Sequence, residues 1–301
     1  MKIMLAPTYE IANEFAQTHE VAATVEAEYG GKVVRGQEET LAHHAIPGDP
    51  PCLRDNSSIS GDLILVSHLD LDTIGGVLSL MGTKPEVAPH FWEYAGYVDV
   101  QGPHKLKDIY NNDETSDEEK HAIECIMAFW AWHESSPLHS RFSALTDVSN
   151  LVLDAWNFLS SLGTEDIEKG LEWDRQKTEE VESKLVTEDP SMRVFISDGV
   201  FCNGSYYSPT LQMVVPSILT LNTKFGTITL SFAEGGNAKE VMQDFFGPLA
   251  GGHAGIAGTP RNERYDETDL MDFIQYLNGD VSRREQQRER HPAVFPQSDE
   301  G

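Results

Sequence analysis

The sequence predicts an α/β protein: an N-terminal, mostly parallel-sheet α/β domain linked by a long helix to a smaller α+β C-terminal domain. Three observations lead there. The apolar run Leu63-Ile64-Leu65-Val66 has the length and composition of a buried strand, delivers a polar cluster from Ser67 to Asp72, and passes into a helix-like stretch from Thr73 to Leu80. From Thr164 to Val186 the chain is long, periodic and strongly charged, as a connector between domains should be. After Pro190 it changes to short strand-like pieces separated by Gly, Pro and Asn.

The elements follow in order. Lys2 to Ala6 suits a short first strand, and Tyr9 to Tyr29 reads as one helix with Ile11, Phe15, Val21, Ala22 and Val25 roughly on one side. Ala42 to Ser60 is a loop rich in Pro, Gly, Ser and Asn. Ala95 to Val100 resembles a second strand, carrying Asp99 and leaving through Gln101-Gly102-Pro103-His104. Ser116 to Trp132 starts with an N-cap and an acidic first turn and spaces Ile123, Ile126, Met127 and Trp130 as a helix does; Val148 to Leu162 is another helix. Strands are expected at Arg193 to Ile196, Met213 to Val215, Ile218 to Leu221 and Thr227 to Phe232, followed by a helix from Ala238 to Phe246 and a glycine-rich stretch from Leu249 to Arg261. The expected boundaries are a catalytic domain at 1–163, a connector at 164–190, a substrate domain at 191–281 and a flexible tail at 282–301.

Composition narrows the function. The chain has 301 residues and a net charge of -27, from 49 acidic against 22 basic residues, which disfavours binding along a long nucleic acid and leaves room for a small phosphate ligand held by cations. The three cysteines, Cys52, Cys125 and Cys202, form no CxxC pair, so neither a zinc knuckle nor a disulfide framework is suggested. Nowhere do eighteen apolar residues run together. A cytoplasmic protein without a membrane segment is the expectation.

Chemistry concentrates at one place. On an extended exit from the strand, His68, Asp70 and Asp72 would share one side. Two carboxylates and an imidazole so close together call for a divalent cation between them. Mixed carboxylate and imidazole ligation suits Mn²⁺ first, with Mg²⁺, Fe²⁺ and Co²⁺ as alternatives. At the far end, Gly251 and Gly252 leave bare backbone for an anion, and the His253 imidazole can donate a hydrogen bond to phosphate; Arg261 could bind a second phosphate oxygen. A tight turn alone would also explain the glycines.

The run Ile-Leu-Val-Ser-His-Leu-Asp-Leu-Asp-Thr-Ile-Gly-Gly resembles the first motif of the DHH phosphoesterases, a superfamily that includes RecJ-like exonucleases, oligoribonucleases, cyclic-dinucleotide phosphodiesterases and manganese pyrophosphatases. Phe201 to Arg261, with Thr227-Ile-Thr-Leu-Ser-Phe and Gly251-Gly252-His253-Ala254-Gly255-Ile256-Ala257-Gly258, resembles the associated C-terminal substrate domain. The resemblance implies hydrolysis of a phosphodiester or phosphoanhydride in a short oligonucleotide, cyclic dinucleotide or similar small nucleotide, by water activated between two cations; the chain could form a homodimer, which the sequence does not decide. It makes His68, Asp70 and Asp72 ligands, Asp99 the bridging carboxylate, and Gly251, Gly252, His253 and Arg261 the substrate seat. The naming Asp-His-His triplet does not occur; Gly102-Pro103-His104 takes its place, so His104 is carried over as a ligand. Asp147 resembles the fourth-motif aspartate and reads equally well as a helix N-cap. The double histidine, His43-His44, lies before the first motif, where it either folds back over the metals or sits in a loop, the loop being preferred. Two rival functions remain. One is a degenerate family member that binds or sequesters a nucleotide; the other, ranked lower, is a haloacid-dehalogenase-type phosphatase using Asp70 and Asp72 as nucleophile and acid.

Overall fold

The computed structural model describes residues 1–139, 141–260 and 263–279, and the chain divides into two units, Met1–Gln176 and Lys177 onward. The expected tail at 282–301 lies outside the described residues. In chain order the first unit holds β1 (Lys2–Leu5), α1 (Tyr9–Thr18), β2 (Ala23–Val25), β3 (Glu28–Tyr29), β4 (Lys32–Val33), β5 (Glu39–Leu41), β6 (Leu63–Val66) and α2 (Leu71–Leu80). It continues through α3 (Phe91–Gln101), α4 (Pro103–Tyr110), α5 (Asp117–Ser135), β7 (Thr146–Asp147) and α6 (Ser149–Ser161). The division between the units falls within α7 (Thr164–Glu182).

The first sheet has the order β5-β2-β6-β1-β7. Its first four strands are parallel, and β7 closes the edge antiparallel to β1. Side chains alternate across it, as the pleat requires. Ile3, Leu5, Ile64 and Val66 enter the main core with α2, α3 and α5, while Met4 and Leu65 pack on the other face against Ala12 and Phe15 of α1. Both faces are thus covered, which is why these strands read as continuous apolar runs. The parallel arrangement has one consequence for function: the residues that follow β2, β5 and β6 leave the sheet at the same carboxyl edge, where ligands of open α/β sheets bind.

Two expected elements differ. The helix expected from Tyr9 to Tyr29 stops at Thr18, and Ala23–Val25 becomes a central strand. Val21 to Val25 is a short, largely apolar run, and such a run fits a buried strand as well as a helix. The strand expected at Ala95 to Val100 lies in α3, with Phe91 and Ala95, four residues apart, buried on its inner face. By contrast, the expected helix near Ser116 forms with a full capping box between Ser116 and Glu119.

The second unit contains β8 (Leu185–Asp189), β9 (Met192–Ser197), β10 (Tyr207–Ser208), β11 (Met213–Val214), β12 (Ser217–Asn222), β13 (Thr227–Phe232), α8 (Ala238–Phe246), β14 (Gly251–Gly252), β15 (Ile256–Gly258) and α9 (Glu267–Leu277). Its six-stranded sheet has the order β14-β15-β13-β12-β9-β8, with only β9 and β12 parallel. Leu219, Leu221, Ile228 and Leu230 pack against Met242 and Phe245 of α8 and Phe273 of α9. The fully buried Arg193 is matched on every side: Nε donates to Glu188 at 3.0 Å, Nη2 to Glu182 at 2.6 Å, and Nη1 to the carbonyls of Ser205 at 2.6 Å and Tyr207 at 2.7 Å. Among the described residues no helix is long and apolar enough to cross a membrane.

Every residue of α2 is buried, and a short 3₁₀ turn, Pro51–Leu53, is pressed onto it. A Cβ added to Gly75 would meet Cys52 Cβ at 2.5 Å and the Trp92 ring at 2.6 Å. In an exposed helix, Gly to Ala would stabilise by about 1 kcal/mol. Here Gly75→Ala is expected to destabilise the first unit instead, because overpacking costs about 1–3 kcal/mol, and denaturant unfolding with intrinsic tryptophan fluorescence checks the sign.

Candidate metal centre

Glu26 follows β2 directly, His43 and His44 come just after β5, and Ser67 to Asp70 link β6 to α2. Glu26 sits at positive φ, 49°, in the left-handed region that few side-chain-bearing residues adopt, and its carbonyl accepts a hydrogen bond from the Ser67 hydroxyl. Asp72 occupies the first turn of α2, and Asp99 comes in from the last turn of α3.

These side chains meet. His43 Nε2 lies 2.8 Å from Asp99 Oδ2, 3.7 Å from Glu26 Oε1 and 3.8 Å from Asp72 Oδ2. His44 Nε2 lies 3.5 Å from Glu26 Oε2 and 3.4 Å from Asp99 Oδ2. The two imidazoles face the same carboxylates with ring centroids 4.0 Å apart. Glu26, His43 and His44 form one group whose ligand atoms lie within 4.8 Å of one another, and His43, Asp72 and Asp99 form a second. His43 belongs to both.

The donor set fits a cation. Glu26 Oε1, His43 Nε2, Asp72 Oδ2 and Asp99 Oδ2 are all buried without a hydrogen-bond partner, although they point at each other. Buried polar atoms are normally paired, and several orphans converging on one volume are the mark of an ion's place. Imidazole and carboxylate without thiolate suits Mn²⁺, Mg²⁺ or Co²⁺. The remaining Asp72 oxygen is fixed by the backbone N–H of Cys52 at 2.9 Å, which the close seating of the 3₁₀ turn on α2 allows.

Electrostatics agree. Burial, and then the neighbouring carboxylates, push Glu26 up to about 9. Asp72 is pushed up to about 7 by burial despite the Cys52 hydrogen bond. Asp99 is raised by burial and by the charge of Asp70, against the pull of His43 and His44. Such shifts express the cost of crowding acids in a dry place with nothing positive between them.

His68 and Asp70 do not belong to either convergent group. They pair with each other at 3.0 Å, about half exposed, instead of lying with Asp72 on an extended exit. The reason is local: Asp70 is the N-cap of α2, its Oδ1 accepting from the Thr73 N–H at 2.8 Å, so Asp72 is already helical and points elsewhere. Partial burial works against a charged His68, but its bond to Asp70 prevails and raises it. His104, expected as a ligand, lies buried on α4 and is not in either convergent group. Asp147 is exposed, accepts from the N–H and hydroxyl of Ser149 at the start of α6, and is in neither group. The candidate ligand that the sequence did not single out is Glu26, hidden within a segment that read as helix. His43 and His44 fold back over the site, the less favoured of their two readings.

In the second unit, Gly251 and Gly252 form the edge strand β14, and exposed His253 sits in the turn before β15, its N–H donating to the Ile256 carbonyl at 2.7 Å. A Cβ on Gly252 would crowd the Ile256 carbonyl oxygen at 2.3 Å, so glycine is required there by the hairpin itself. Arg261 lies outside the described residues.

No family model matches the sequence, and no curated protein matches it. Among solved structures the chain is similar to a pGpG-specific phosphodiesterase, PggH, from Vibrio cholerae, at 10% identity and a TM-score of 0.36 over 64% of this chain and 67% of that one. It is similar to an exopolyphosphatase-related protein from Bacteroides fragilis at 14% identity and a TM-score of 0.30, over 80% of this chain and 63% of that one. RecJ from Thermus thermophilus, solved with Mn²⁺, is similar at 14% identity and a TM-score of 0.39, over 91% of this chain and 46% of that one.

The raised acids set the sign of a pH effect. Between the ordinary value of 3.8 and about 7, folded Asp72 holds a proton that the unfolded chain has released; for Glu26 the window runs from 4.5 to about 9. Metal-free protein is therefore expected to lose stability as pH rises from about 5 to 8. Mn²⁺ should reverse that loss with release of protons, and thermal melts with and without Mn²⁺, together with titration calorimetry in buffers of different ionisation heat, read both effects.

Proposed function

We propose that this protein is a DHH-type metal-dependent phosphoesterase acting on a small nucleotide-like substrate. The observation that carries the reading is the convergence of Glu26, His43, His44, Asp72 and Asp99, with four of their atoms buried and unmatched, at the carboxyl edge of a parallel sheet. His43 and His44 supply the double histidine that the resemblance asks for, entering from β5 ahead of the His68-Leu69-Asp70-Leu71-Asp72 run instead of after it.

Glu26, His43, His44, Asp72 and Asp99 would hold the cations. Divalent cations held there, Mn²⁺ first, would polarise a phosphoryl oxygen and lower the pKa of water. His68 and Asp70, paired with each other at the exit of β6, lie outside both convergent groups. The Cys52 N–H orients Asp72, and the Asp70 N-cap fixes the start of α2. His253, with Gly251 and Gly252, would offer backbone and a hydrogen-bond donor to a phosphate, the role the resemblance also gives to Arg261. The charge of -27 selects for short substrates by repelling long polyanions, so a dinucleotide or cyclic dinucleotide suits better than an extended strand. A covalent route through Asp70 is disfavoured because both its oxygens are engaged, by Thr73 and by His68.

Purified protein with Mn²⁺ is expected to cleave a linear dinucleotide, a cyclic dinucleotide or a generic phosphodiester, and chelation should abolish the activity. Asp72→Asn and Asp99→Asn should each lower kcat/KM by at least about 100-fold, since even outer residues of metal sites are worth about 10–100-fold. Absence of cleavage of all three substrate types would overturn the enzymatic reading. Metal-independent nucleotide binding without turnover would replace it with a sequestering role.

A further inference from the structure

The two ligands that enter from β5 sit on a loop with little regular structure of its own, yet both imidazoles are aimed at the same carboxylates. One side chain accounts for this. The carboxylate of Glu28 accepts three consecutive backbone N–H groups of that loop: His43 at 3.2 Å and His44 at 3.1 Å on Oε2, and Ala45 at 2.5 Å on Oε1. Charge-assisted bonds from successive amides bend a loop around an anion, as in backbone anion nests.

Glu28 is itself on a stiff support. It opens the β3–β4 hairpin, which turns through Gly30 and Gly31 at φ 57° and 86°, the two positive values of a type I′ turn. The adjoining Tyr29 hydroxyl donates to the Ala6 carbonyl beyond β1 at 2.7 Å, Tyr9 meets the Tyr29 ring edge-on, and Lys32 lies 4.5 Å over the Tyr9 ring. Ala27 and Val34 join the two sides at the hairpin's base, the Val34 N–H donating to the Ala27 carbonyl at 3.0 Å.

We infer that Glu28 is the positioning residue of the metal centre, its carboxylate holding the His43-His44 loop in the shape that aims both imidazoles at the cations. The inference rests on the proposed metal-dependent function and concerns a residue outside the ligand set. Glu28 meets His43 and His44 through their backbone N–H groups and Glu26 through its side chain, standing behind the ligand atoms, so it acts on how tightly metal is held and not on the chemical step.

The experiment is Mn²⁺ titration of the full chain by calorimetry, for wild type, Glu28→Ala and Glu28→Gln, with circular dichroism as a check on folding. Glu28→Ala is expected to weaken Mn²⁺ binding by about 10–100-fold, the usual effect of losing an outer support of a metal ligand. Glu28→Gln, which keeps one acceptor oxygen but not the charge, should fall between the two. With a phosphodiester substrate, saturating Mn²⁺ should restore the Glu28→Ala kcat to within a few-fold of wild type while the Mn²⁺ concentration for half-maximal rate stays raised; Asp99→Asn should not recover. If wild type binds Mn²⁺ and both folded Glu28 variants bind it equally well, the positioning role is wrong and the metal centre stands. If wild type binds no Mn²⁺, the metal-dependent reading itself falls. Should Glu28→Ala not fold, Glu28→Gln alone decides, with unchanged Mn²⁺ affinity overturning the inference.

Discussion

The parallel pairing of β5, β2 and β6 is the constraint on which the site depends. Three neighbouring strands running the same way must all release their chains at one edge, and here those exits deliver Glu26, the His43-His44 loop and the run from His68 to Asp72. With Asp99 from α3 they put two buried carboxylates and one partly buried against two imidazoles. Such a cluster costs free energy by itself, through desolvation and mutual repulsion. It persists because both faces of the sheet are packed, on one side by α1 and on the other by α2, α3 and α5, leaving the strands no alternative register without exposing their apolar sides.

The architecture was largely legible in the sequence. The strand at Leu63–Val66, the helices at α5, α6 and α8, and the strands β9, β12 and β13 all follow from composition and period. Two misreadings share one cause. Val21 to Val25 and Ala95 to Val100 are short apolar runs, and periodicity over five or six residues does not separate a buried strand from one side of a buried helix. Only tertiary packing decides, β2 being sheltered between β5 and β6 and α3 against α5 and the 3₁₀ turn.

The site was legible in part, and unevenly. Asp72 and Asp99 could be named because each stands next to a recognisable feature. Asp70 and His68 were grouped with Asp72 on the assumption of an extended exit, but Asp70 is an N-cap and the helical turn begins immediately, so alternation across a strand no longer applies. Glu26 gave no local signal: a glutamate in an apparent amphipathic helix belongs on the solvent side, and its positive φ cannot be read from residue type. The pair His43-His44 was visible, but its destination depends on β5 lying beside β2, which no stretch of the sequence states.

That adjacency also separates spatial order from chain order. Along the edge the strands run β5, β2, β6, yet the chain visits β2, then β5, and reaches β6 only after the long excursion from Ala42 to Ser60. A rim of side chains assembled this way is indifferent to the route by which the polypeptide threads it. The same constellation could be written into linear sequence in several permutations, and a comparison that aligns signatures from left to right would see unrelated proteins where one keyed to which strand lies beside which would see a single rim.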